Sequence, residues 1–239
     1  MSGLLSASYR RKLGIICGLQ SEAACLSRFE GEVRVKIRVA GASEGRAAQS
    51  AEELLRDGAS LLISFGLSGG LAPTAVAGDL VLAAEVVDEG GKRWRVDRSG
   101  FDVASAALLS RGLRPRCEPV LGRGEIVAGQ EGKVALYRET GAMAVDMESG
   151  GVAQVSGSAG VPFLALRAIV DPAWMSIPSA AFDAIRPDGS IRTGQVLLRT
   201  LIRPWQILPL LQLQRHNKLG LQRLRDAAEA VLPAVLNRL

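Results

Sequence analysis

The chain has 239 residues, with 48% hydrophobic, 22% charged and 4% aromatic content, enough to bury a sizeable core and incompatible with disorder or a disulfide-stapled miniprotein. Lysine and arginine number 29 against 24 aspartate and glutamate, a formal +5. From Arg192 onward eight basic residues face two acidic ones, giving +6, while residues 1–191 carry −1, so the basic character belongs to the last fifth of the chain.

In chain order, the basic N-terminus precedes a short apolar run that continues into QSEA without a small-residue cleavage site. LGIICGL at 13–19 therefore reads as a first buried strand and no secretory leader is expected. VRVKIRV at 33–39 alternates apolar and basic residues, a strand with one wet face. GASEGRAAQSAEELLRDG predicts a helix with an apolar stripe at Ala47, Ala51, Leu54 and Leu55 and a stop at Gly58. LLISFG is the next strand, and GLSGGLAP after it reads as a loop in which Gly66, Gly69 and Gly70 open backbone N–H groups.

Further strands are predicted at Asp79–Val87, Gly122–Ala128 and Pro162–Val170, and helices at Val103–Leu109, Lys133–Glu139, Asp146–Gly157 and Leu221–Leu236. Apolar strands alternating with helices predict an α/β fold, one domain over 1–239 with a mixed β-sheet flanked by helices. A compositional break near Pro187–Gly189 precedes a basic, apolar element at about 192–220.

Several chemistries drop out. Cys17, Cys25 and Cys117 lack paired spacing and fit a reducing, cytoplasmic compartment. With His216 as the only histidine there is no zinc ligand set, so no metal is expected. GASEG matches G-x-S-x-G, but a nucleophile elbow needs a histidine base, and the only one lies in the tail. GQEGKV ends as a phosphate loop does but puts Val134 where the metal-binding hydroxyl belongs, and no G-x-G-x-x-G follows the first strand.

What remains is a set of carboxylates at strand ends: Glu22, Asp146 with Glu148 in AVDMESGG, and Asp171 closing FLALRAIVD. Singly, each has a local explanation. Asp171 before Pro172 suits a helix N-cap, Glu148 a helix dipole and Glu22 a solvated first-turn acid. Together, beside glycine-rich loops, they read as a ligand site, because α/β sheets bind at strand ends.

From about Leu13 through Asp171, the ordered blocks LGIICGLQSEA, GLSGGLAPTAVAGD, EIVAG, AVDMESGGVA and FLALRAIVD resemble the nucleoside phosphorylase and nucleosidase superfamily. The resemblance is strongest to the methylthioadenosine/S-adenosylhomocysteine nucleosidases and, closer still, to the hopanoid-associated phosphorylase branch, which removes adenine from adenosylhopane. It implies a nucleoside phosphorylase-like fold, a homodimer, and cofactor-free release of adenine from an adenosine-type nucleoside. By position, Glu22 matches the glutamate that activates water, and Asp171 the aspartate that assists protonation of the purine at N7. Glu148 matches the acid that holds the ribose hydroxyls, with Met147 under the sugar and Arg167 nearby. Gly132 and Lys133 stand where backbone groups meet the base. The chain departs from the pattern at Leu67, where nucleosidases carry a serine, leaving Ser68 as the substitute hydroxyl, and in AGQEG, which lacks the aromatic residue that covers the base.

Hexameric purine phosphorylases resembling this chain carry G-D-P-x-R-A after the first strand, and the arginine pairs bidentately with phosphate. Here G-L-Q-S-E-A puts Glu22 at that place, which favours hydrolysis. Arg46 or Arg123 would serve phosphate in the phosphorolytic alternative, and a noncatalytic nucleoside-binding, membrane-associated protein is the non-enzyme alternative.

The segment 195–215 is apolar in over half its positions, yet Arg199, Arg203, Pro204 and Pro209 deny it the about 20 apolar residues of a spanning helix. Two readings stand: a surface segment anchored by Trp205 at the inner face of the membrane, or helices that cover the sheet or a dimer interface. With Trp205 its only aromatic residue and leucines dominant, the segment is not expected to bind nucleic acid.

Overall fold

In this computed structural model residues 11–179, 185–192 and 204–239 are described. The first apolar run forms β1 (Lys12–Cys17), buried after its first residue, with β2 (Val35–Val39) parallel beside it. The organising strand is β3 (Ala59–Gly70), 12 residues long, which runs parallel to β1 on one side and to β9 (Phe163–Asp171) on the other. Its last two residues pair antiparallel with β8 (Ala144–Asp146). From β8 the sheet continues in parallel through β7 (Val120–Gly122) to β5 (Glu85–Val87), and β6 (Arg93–Arg95) ends it antiparallel. β4 (Leu80–Leu82) joins the free side of β9 antiparallel, so the described residues form one mixed nine-stranded sheet.

A one-turn helix, α1 (Gln20–Ala23), follows β1 and runs into a 3-10 turn at Ala24–Phe29. α2 (Glu44–Arg56) and α5 (Ser149–Ala159) cover one sheet face, and α3 (Arg98–Ser110) with α6 (Ile207–Arg238) covers the other. The two-residue strand period sorts the core between them. Leu61, Ile63 and Phe65 of β3 and Leu164, Leu166 and Ala168 of β9 pack with Leu108, Leu224 and Ala228. Leu62, Phe163 and Ala165 pack with Ala51, Leu54 and Val152. Each large apolar side chain so buried contributes about 1.5–3 kcal/mol. The last helix of this set, α4 (Gln130–Thr140), lays Leu136 and Tyr137 against Leu121 and Val145 and ends at Gly141 in the left-handed region, φ 68°.

The α/β architecture matches the sequence-based expectation, while several boundaries differ. GLSGG is the end of β3 and not a loop, because its glycines find partners in β8 and β9. The strand expected over Asp79–Val87 breaks at Ala83 and Ala84, since its halves pair with different neighbours, β9 and β7. Gly122–Ala128 is not a strand: β7 ends at Gly122, where a Cβ would lie 2.5 Å from the Cα of Gly150. AVD is a strand, and the helix expected from Asp146 begins at Ser149. Ser43 of GASEG caps α2, accepting from the Arg46 N–H at 3.4 Å. No helix begins at Pro172, so Asp171 is not an N-cap.

α6 starts at Ile207 and not at Leu221; Pro209 sits in its first turn, where the missing N–H costs no helical bond. Of the 195–215 segment, 195–203 lies outside the described residues, as do most residues of 192–204. Among the described residues no helix is long and apolar enough to cross a membrane.

Candidate active site

The turn between β1 and α1 aims two backbone N–H groups at the carboxylate that follows. Gly18 and Leu19 donate to Glu22 Oε2 at 2.8 and 2.9 Å, and Leu67 on β3 donates to Oε1 at 2.8 Å. Three convergent N–H groups make an anion cradle, and here the anion is the protein's own side chain. Glu22 is buried, which raises its pKa above the ordinary carboxylate value, while Arg167 and the three N–H donors oppose that rise.

On β9 the alternation that places Leu166 and Ala168 on one face turns Arg167 to the other, where it is fully buried. Its Nε lies 2.7 Å from Asp146 Oδ2, Nη1 lies 3.3 Å from Glu148 Oε2, and Nη2 reaches Ser149 Oγ at 3.1 Å and also Ser64 Oγ. Asp146 Oδ1 meanwhile accepts the N–H groups of Glu148 and Ser149 at 2.9 and 2.7 Å, satisfying the start of α5. Burial pushes Glu148 up to about 8; Arg167 pulls it down, and the neighbouring Asp146 and Glu22 charges add to the rise. Two glycines make room for this cluster. A Cβ on Gly66 would lie 2.6 Å from Arg167 Nη1 and 2.7 Å from Glu22 Oε2, and one on Gly18 would collide with Glu148 Oε1.

At the end of β9, Asp171 is buried, and its Oδ2 meets the ammonium of the wholly buried Lys133 at 2.6 Å. Burial pushes Asp171 up to about 6, against the pull of Lys133 and, more weakly, His216. Glu22, Asp146, Met147, Glu148 and Asp171 all line one cleft of about 720 Å³.

Residues 18–202 match the family model described as the phosphorylase superfamily. The chain belongs to that superfamily. It is 28% identical over 207 residues to a 5′-methylthioadenosine/S-adenosylhomocysteine nucleosidase of Mycobacterium bovis, covering 70% of this chain and 81% of that one. It is 36% identical over 129 residues to the futalosine hydrolase of Streptomyces coelicolor, covering 47% of this chain and 54%, about half, of that relative. The fold is that of a Neisseria meningitidis methylthioadenosine/S-adenosylhomocysteine nucleosidase, with a TM-score of 0.73 at 16% identity over 93% of this chain and 98% of that one. The Helicobacter pylori futalosine hydrolase has a TM-score of 0.70 at 16% identity over 96% and 99%.

For this member of the phosphorylase superfamily, the structure gathers most of the expected site residues but not all. Leu67 contributes its N–H to Glu22 and also lines the cleft. Ser68 is a buried wall residue whose Oγ has no hydrogen-bond partner among the described residues, and Met147 is half-buried in the wall. Gly132 and Lys133 do not line the cleft: both lie in α4, Gly132 exposed, and the wall on that side is Glu125, Ile126 and Val127. Arg46 and Arg123 are engaged elsewhere. Arg46 donates to the carbonyls of Ala40 and Gly41, and Arg123 pairs with Glu89 at 3.6 Å and Glu125 at 3.8 Å. Ser64 and Ser149, and the role of Asp146 in holding Arg167, escape sequence reasoning. The only local signal is a carboxylate three residues before a serine at a helix start.

Proposed function

We propose that the protein is a purine nucleosidase that hydrolyses adenosylhopane, releasing adenine and ribosylhopane in hopanoid biosynthesis. The observation that carries hydrolysis is the seating of Glu22 on the N–H groups of Gly18, Leu19 and Leu67. Phosphate at that place would have to displace the buried Glu22 from its three N–H donors, and neither Arg46 nor Arg123 is free to pair with it. The relatives named as a nucleosidase and a hydrolase support the same reading.

In this reaction a water loses a proton to Glu22 as its oxygen bonds to C1′ of the ribose. The C1′–N9 bond breaks, its electron pair passes to adenine, and the base takes a proton at N7 from Asp171. Glu148 pairs with the ribose diol in either protonation state, since a neutral carboxyl both donates and accepts, and Arg167 and Asp146 hold it in place. Each well-placed acid or base contributes about 10²–10⁴-fold.

An apolar 5′ substituent is supported by the rest of the cleft. Ile126, Ile191, Ile207 and Leu211 line it while remaining exposed, so apolar surface continues from wall to rim. Among the described lining residues none is lysine, arginine or histidine, so the carboxylate of S-adenosylhomocysteine would lack a cation. Trp205 is 70% exposed and Leu208 77%, close in sequence to the lining residue Ile207. This exposure supports peripheral contact with the inner face of the membrane through 195–215; a cytoplasmic location rests on the cysteine spacing and a homodimer on the family resemblance.

Chromatography for free adenine, after incubation with adenosylhopane or methylthioadenosine with and without phosphate, tests the proposal. Adenine from adenosylhopane in phosphate-free buffer is expected. Release that depends wholly on phosphate overturns hydrolysis, and release from methylthioadenosine alone moves the assignment to the nucleosidase that the 28% relative exemplifies. Binding of both nucleosides without release favours a noncatalytic binding protein. Sedimentation with anionic liposomes across a salt series tests the membrane contact.

A further inference from the structure

α4 is a surface helix with one buried residue, and that residue is a lysine. Burying an ammonium costs several kcal/mol unless it is fully paired. Lys133 Nζ is paired: it donates to Asp171 Oδ2 at 2.6 Å and to the carbonyls of Asp171, Pro172 and Met175 at 3.0, 3.1 and 2.9 Å. Four oxygens around three hydrogens leave nothing to offer a ligand, and Lys133 does not line the cleft. Of the residues it bonds, Asp171 is the one that lines the cleft, and the ammonium occupies its Oδ2.

The surroundings of Asp171 contain little else that could do this. β3 presents Gly69, where a Cβ would lie 3.0 Å from Asp171 Oδ2. α6 presents His216, whose Nδ1 lies 3.0 Å from the carbonyl oxygen of Val170. Among the described residues Lys133 is the cation paired with Asp171, and it is tied at once to the carboxylate and to the turn after β9.

We propose that Lys133 is a positioning residue for base protonation: it orients Asp171 so that Oδ1 faces the base, and it compensates the negative charge left on Asp171 after the proton moves to N7. The proposal rests on the nucleosidase reading for the identity of the base, but the pairing itself does not. The proton leaves Asp171, the glycosidic electron pair goes to adenine, and Lys133 keeps all three of its hydrogens throughout. Burial and Lys133 pull Asp171 in opposite directions, consistent with this role.

The direct test is an NMR titration of the protein with ¹³C-labelled aspartate, with Asp171→Asn assigning the signal. In Lys133→Met, and in Lys133→Gln should Met fail to fold, the Asp171 midpoint is expected to rise by about 1–3 pH units, and Lys133→Arg should remain near the wild type. An unmoved midpoint in either folded neutral variant overturns the proposal. In adenine release, the alkaline limb of kcat/KM should move by the same amount, and Lys133→Met should cause no further loss in an Asp171→Asn background. A large further loss there means that Lys133 acts by another route. Absence of adenine release from the wild type would instead refute the nucleosidase reading, leaving the titration to decide the role of Lys133.

Discussion

The backbone N–H of Leu67 meets Glu22 Oε1 at 2.8 Å, so the end of β3 completes a carboxylate cradle that the turn after β1 begins. A serine side chain is unnecessary for this contact. Glu22 is held by three backbone dipoles in all.

Glu22→Gln and Asp171→Asn should each lower adenine release by about 10²–10⁴-fold while nucleoside binding persists. In Glu22→Gln the amide would also turn an N–H₂ group toward N–H donors. Calorimetric binding alongside chromatographic turnover checks the split; unchanged turnover in either variant removes that residue from the chemistry.

The pH profile of kcat/KM should be a bell on the acid side of neutrality. Glu22 must be ionised to act as base, and burial raises its pKa, which carries the acid limb above the usual glutamate value. Asp171 must hold a proton, and its pKa of about 6 sets the alkaline limb in the free protein. A profile still rising through neutral pH would contradict this pair of roles.

Stability should fall as pH rises. Glu148 is raised from 4.5 to about 8, so the folded protein keeps a proton that the unfolded chain gives up. The stabilisation is complete below the unfolded value and is lost as pH passes through about 8, a change on the order of a few kcal/mol. The melting temperature of the unliganded protein is expected to drop across that interval and to drop less in Glu148→Gln. Calorimetry at intervals between those two pH values decides it.

Gly66→Ala should impair turnover more than its size suggests. The new methyl would press on Arg167 Nη1 and Glu22 Oε2, which belong to side chains held at several points and unable to move independently. A glycine open to solvent, Gly31 → Ala for instance, has no side chain or backbone within 4 Å, although its φ of 90° strains any residue with a Cβ. A loss of adenine release in Gly66→Ala with the fold retained by circular dichroism is the expected pair of results.

Arg167→Met should cost about 3–5 kcal/mol in stability, because it strands the buried Asp146 carboxylate without its cation and leaves Glu148 without its guanidinium partner. Arg167→Lys should rescue little, since one ammonium cannot reproduce the fork that spans Asp146, Glu148, Ser64 and Ser149. Denaturant unfolding of the three proteins provides the comparison.

By itself, the sequence determined the α/β class, the order of the main elements and the placement of Glu22, Glu148 and Asp171 beside strand ends. These properties follow from local periodicity, since strand and helix spacing can be read within a window of neighbouring residues. Only the tertiary structure decided that GLSGG is strand, because its partners come from β8 and β9. It also decided that Leu67 finishes the Glu22 cradle across 45 residues of chain, and that Lys133 turns inward to Asp171 across 38. A charged residue on a helix reads as solvated in any local window. Whether it can be buried depends on which distant oxygens surround it, and that information exists only after the chain has folded.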